Sequence, residues 1–131
     1  MRNLSRRWLI LGAGAIGISV VAVDALAFTA LTGRPLTFAS DVQPVAATIA
    51  AIPYLILASM GARRALPWII GLTLTLSLWG YKLYSGVSYQ WNPDGTGANI
   101  GLGILMLFSP IFISPVVVAV HLAQRRASKR P

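Results

Sequence analysis

The sequence predicts an all-α membrane protein: a four-transmembrane-helix bundle whose N- and C-termini are both cytoplasmic. Three observations lead there. Four apolar stretches, approximately 8–31, 42–61, 65–84 and 98–123, fill most of a 131-residue chain. About 20 helical residues suffice to cross a hydrocarbon core ~30 Å thick. Charged residues are only 11% of the chain and hydrophobic residues 56%, whereas a soluble domain carries about a quarter charged residues. Finally, the basic residues are segregated. Arg2, Arg6 and Arg7 precede the first stretch, Arg63 and Arg64 separate the second from the third, and Arg125, Arg126, Lys129 and Arg130 follow the fourth. Only Arg34 and Lys82 fall on the other side. Lys and Arg near segment ends are retained in the cytoplasm, so four crossings with both termini inside satisfy the bias at every connection. Short connections leave no room for a second unit, and residues 1–131 read as a single membrane domain.

The first stretch contains Gly12-Ala13-Gly14-Ala15-Ile16-Gly17, with Asp41 further on. This matches a dinucleotide-binding fingerprint, which needs a strand–turn–helix setting and further soluble elements. In an apolar helix, small residues instead let neighbouring backbones approach closely. Ser5-Arg6-Arg7 resembles a twin-arginine export signal, and Ala25-Leu26-Ala27 a cleavage site. The apolar stretch is long for a signal and three more follow, so a retained first helix is expected. Ala13, Gly17, Val21, Asp24 and Phe28 share one stripe at helical spacing. Asp24 is the ionisable residue set well within an apolar stretch, and a carboxylate there is expensive unless partnered.

Gly33, Arg34 and Pro35 break the chain before the second stretch, which Pro53 interrupts. In the third, Thr73, Ser77, Gly80, Tyr81 and Tyr84 lie on one face, and Thr75, Trp79 and Lys82 on another. Hydroxyls in such helices commonly bond to the carbonyl one turn back. Lys82 lies two residues from the end of this stretch and Asp24 seven from the end of the first, about 10 Å of helix. The long lysine stem can bridge that difference in depth, which makes Asp24 and Lys82 a candidate intramembrane ion pair. Asn92-Pro93-Asp94-Gly95 has the composition of a turn. Tyr81, Tyr84, Tyr89 and Trp91 gather near the outer boundary, with Trp8 and Trp68 near the inner one, where amphipathic rings prefer to sit.

In the fourth stretch Asn99, Gly103, Met106, Pro110, Ser114, Val117 and His121 fall in a narrow arc. Asn99, Ser114 and His121 make it a candidate bundle-facing polar stripe. Pro110 and Pro115 each remove a backbone donor, and Ser109 and Ser114 are placed to satisfy freed carbonyls. His121, beside Gln124 and Arg125, suits a helix C-terminus at the interface.

The chain has no Cys, no Glu and a single His. Thiol chemistry and thiolate metal sites are excluded, and no catalytic constellation remains. The expectation is therefore no enzyme, no cofactor and no metal. A net charge of +8 does not imply nucleic acid, because the basic residues punctuate the apolar stretches instead of forming one face. The expected partners are the lipid bilayer and either another membrane protein or a second copy. The expected location is a bacterial inner (plasma) membrane, and the expected role that of a non-catalytic accessory or structural subunit. The alternative is a small proton- or cation-coupled carrier using Asp24. Length and helix count are similar to those of small multidrug carriers, but these use an essential Glu in the first helix and a weak charge bias. This chain has neither, so the likeness is one of architecture alone.

Overall fold

A computed structural model describes residues 2–33, 42–92 and 98–128, with side chains from Arg6 in the first helix and from Gly103 in the last. Arg34, Asp41, Pro93, Asp94, Gly95, Lys129 and Arg130 lie outside the described residues. Four helices follow in order: α1 (Arg2–Thr32), α2 (Val42–Ser59), α3 (Ala65–Trp91) and α4 (Ala98–Ala127). The described residues contain no strand.

The helices and the apolar stretches differ at their ends for local reasons. α3 runs seven residues past Tyr84, to Trp91. Residues 85–91 are mixed in polarity, so hydropathy falls, yet nothing there stops a helix. The stop comes at Asn92, which leaves helical geometry at φ −140° immediately before a proline. α2 ends in a Schellman turn: Ala62 N–H donates to Leu57 O and Gly61 N–H to Ala58 O, both at 3.0 Å. Gly61 takes the left-handed φ of 68° that this turn requires. Ala62 then packs back on Leu57 in one buried cluster.

α1 and α2 pack antiparallel. Arg6 at the start of α1 donates to Ser59 O at the end of α2, at 2.6 Å. At the centre, a Cβ on Gly17 would lie 2.5 Å from Ala47 O and 2.7 Å from the Ala51 methyl. α3 and α4 form the second antiparallel pair, with Arg64 donating to Gln124 O at 3.0 Å. Arg6 caps a carbonyl in the last turn of α2, where a helix leaves such groups without an intrahelical donor, and Arg64 adds a second donor to Gln124 O, which also accepts from Ser128 N–H at 3.2 Å.

The two pairs lie side by side with like-directed helices adjacent. α1 runs parallel to α3, and the pairs Asp24–Lys82 and Phe28–Gly86 keep one offset. α4 lies against α2, where Ile113 and Val117 pack with Leu57 and Ala62. α2 and α3 touch less than any other packed pair although a short connection joins them, and α1 and α4 make no packed pair among the described residues. Tyr54 of α2, fully buried, fills the middle. Its ring stacks on Trp68 at 6.0 Å and its hydroxyl donates to Thr75 Oγ1 at 2.8 Å. Trp68 in turn donates to Ala62 O at 2.9 Å, holding the α2–α3 connection.

Two of the helices are long and apolar enough to cross a membrane: Arg6–Thr32 and Gly103–Ala127. The apolar part of α2, Pro44–Ser59, is shorter, and α3 carries Thr73, Thr75, Ser77 and Lys82 along its length.

Candidate functional site

Asp24 reaches the interior because its stripe is made of small and apolar residues. Ala13, Gly17 and Val21 below it are all buried, which draws α1 close to its neighbours and leaves Asp24 only 9% exposed. The face of α3 opposite carries Thr75, Trp79 and Lys82, of which Thr75 and Trp79 are buried. Lys82 Nζ donates to Asp24 Oδ2 and forms an ion pair with it. The same ammonium sits 4.9 Å from the centre of the Trp79 ring, whose π face attracts it. The Lys82 side chain stays 39% exposed, so the unit is open on the lysine side and closed on the carboxylate side.

The depth difference inferred from the apolar stretches does not exist. Because α3 continues to Trp91, Lys82 lies nine residues before its end, and Asp24 lies eight before the end of α1. The two groups are level, and the lysine stem bridges no gap in depth. Asp24 Oδ1 is buried without a hydrogen-bond partner among the described residues. Trp79 belongs to this site through its i, i+3 spacing to Lys82; a π-face contact was not part of the sequence expectation.

The other face of α3 is outward. Thr73 Oγ1 donates to Ile69 O at 2.9 Å and Ser77 Oγ to Thr73 O at 2.8 Å, so both hydroxyls are satisfied within the helix. Tyr81 and Tyr84 are exposed.

On α4, Pro110, Val117 and His121 are buried. Ser114 Oγ accepts and donates no hydrogen bond among the described residues, so it does not take up a carbonyl freed by the prolines. His121 departs from its interfacial reading: it is 5% exposed, and both ring nitrogens, like Gln124 Oε1, are buried without a partner. α4 turns this residue toward the bundle together with Val117, one turn earlier. The backbone of Asn99 is helical, and its side chain lies outside the described residues. Ser114 and His121 are not brought to the Asp24–Lys82 pair, since α1 does not pack on α4.

α1 runs unbroken through Gly12, Gly14 and Gly17, so no strand–turn–helix exists to seat a pyrophosphate. Gly12 and Gly14 face open space, and Gly17 alone of the three meets a neighbouring backbone. No protein-family model, curated protein or solved structure matches this chain.

Proposed function

We propose that the chain is a small polytopic inner-membrane protein, crossing four times with both termini cytoplasmic, and that it serves as a non-catalytic accessory or structural subunit. One observation carries the membrane reading. The most apolar windows of α1 and α4 have mean hydropathy 2.2 and 2.3, yet only 28% and 33% of them are buried. A soluble core helix with that composition would be mostly covered. Instead Ile18, Leu26, Leu107, Ile111 and Phe112 stand exposed, each worth about 1.5–3 kcal/mol if left in water. The interior meanwhile holds Asp24, Thr75 and His121. An apolar exterior around a mainly apolar interior that also holds the few polar groups is the distribution that lipid favours.

Orientation follows from the basic residues. Arg6 meets the end of α2 and Arg64 the end of α4, which supports gathering the arginines at one face. Reporter fusions at Gly61 and after Pro131 should read cytoplasmic and one at Asp94 external; a reversed or mixed readout rejects the topology. Retention of α1 is supported by its burial of Gly17 and Asp24 against α2 and α3. N-terminal sequencing that begins at Phe28 would overturn it.

The accessory role rests on the scarcity of acid–base and metal-binding side chains. Affinity purification of the full chain in mild detergent should recover a stoichiometric membrane-protein partner. The carrier reading draws on Asp24 Oδ1, a buried oxygen without a hydrogen-bond partner among the described residues, as the group that takes up a proton or cation. A lone protein or homo-oligomer whose proton-coupled solute uptake is abolished by Asp24→Asn would replace the accessory reading.

A further inference from the structure

We propose that Asp24 and Trp79 form a binding site for a primary alkylammonium cation, and that Lys82 occupies it as a tethered stand-in for that ligand. Lys82 Nζ donates to Asp24 Oδ2 and sits 4.9 Å from the centre of the Trp79 ring. A carboxylate and an indole face around one nitrogen are the groups that recognise an amine. The carboxylate takes its N–H bonds and its charge, and the π face attracts the cation beside it. Both groups are held by packing: Asp24 is 9% exposed and Trp79 7%. The lysine is not, since its side chain is 39% exposed and its flexible stem can turn the ammonium to water.

Two considerations separate this site from a purely structural pair. Replacing a buried ion pair by apolar side chains is often neutral or stabilising, so packing gives no reason to keep one here. Asp24 Oδ1 is also buried without a hydrogen-bond partner among the described residues. Lys82 serves one oxygen; a free ammonium, without a tether, can turn its N–H groups to both. One turn further along both helices the Phe28 ring packs against Gly86, 3.5 Å from where a Cβ would stand, which closes the seam beyond the pair. The way in is therefore the lysine side, and the alkyl chain of the ligand takes the course of the Lys82 stem. That selects an unbranched chain of about four carbons, the length of a lysine stem. A quaternary ammonium has no N–H for either oxygen. The site needs only the α1–α3 contact; it rests on neither the accessory nor the carrier reading, because binding is separate from uptake.

The test uses the full chain in a neutral detergent at fixed ionic strength. The probe is n-butylammonium, and butyltrimethylammonium is its counterpart without N–H groups. Calorimetric titration of the unaltered chain should show one saturable site for n-butylammonium. Lys82→Ala removes the tethered competitor and should tighten that site about tenfold or more. Lys82→Gln removes the charge but keeps a stem, and serves should the Ala variant fail to fold. In either variant the probe should raise the unfolding midpoint as the site fills. Trp79→Leu should weaken binding about threefold, the loss of one cation–π contact at a partly open site. Asp24→Asn should abolish it, and butyltrimethylammonium should bind about tenfold more weakly than n-butylammonium. No saturable binding to the unaltered chain, undiminished binding by Asp24→Asn, or equal binding of the two cations would overturn the proposal. Binding confined to the Lys82 variants would overturn it too, because the lysine would then never yield the site. A failed topology or partner test would leave a positive result standing, and absent binding would leave the topology untouched.

Discussion

Gly17→Leu should lower the stability of the folded chain by about 3 kcal/mol or more, and Gly17→Ala by about 1–3 kcal/mol. Even a single Cβ at this position would lie 2.5 Å from Ala47 O and 3.1 Å from Ala51 N. Both are backbone atoms of α2, so no side chain can rotate away. The helices must separate, and the dispersion contacts along their shared seam weaken together. Gly12→Ala and Gly14→Ala provide the contrast, because nothing lies within 4 Å of either position. There alanine should be neutral or stabilising by up to about 1 kcal/mol, since it is the better helix former. Unfolding titrations in detergent, monitored by Trp fluorescence, separate the cases. Equal effects at Gly12 and Gly17 would remove the close α1–α2 approach from the account.

Lys82→Ala should destabilise more than Asp24→Ala, about 2 against about 1 kcal/mol. Losing the lysine strands a carboxylate that is 9% exposed and already has one oxygen without a partner among the described residues. Losing the carboxylate leaves an ammonium on a side chain 39% exposed, which can turn to water while its stem stays packed. The figures stand below those of fully buried pairs because the lysine side is open. The double variant should lose about 2 kcal/mol rather than the sum, a coupling of about 1 kcal/mol. The same unfolding measurement reads this cycle. Coupling below about 0.3 kcal/mol would mean that the pair contributes nothing to the fold, and a larger loss for Asp24→Ala would show that the lysine is the trapped member.

Much of the local structure was legible in the residues, because its causes are local. Hydropathy marks four helical segments, and Gly61 and the Asn92-Pro93 step mark two of their ends. Hydropathy alone misjudged α3: residues 85–91 are helical without being uniformly apolar, and the error moved Lys82 toward a helix end that lies seven residues further on. Asp24 stood out in the sequence because a carboxylate in an apolar stretch needs an explanation, and few cations were available to supply one.

Only the tertiary structure decided which faces meet. Helical spacing sets Gly17 on the Asp24 stripe, apart from Gly12 and Gly14, but the contact of Gly17 with the α2 backbone at Ala47 and Ala51 is a product of how the two helices pack. Tyr54 offered no sequence signal for its hydrogen bond to Thr75, and His121 sits on a stripe whose burial depends on how far α4 rotates toward α2. A short α2–α3 connection suggests close neighbours, but the bundle packs α1 beside α3 and α2 beside α4. Composition and spacing act within a helix and over its nearest turns, so they determine where helices run and which stripe is polar or small. The rotation and offset between helices are set by the sum of all contacts across their seams, a quantity that no single segment contains.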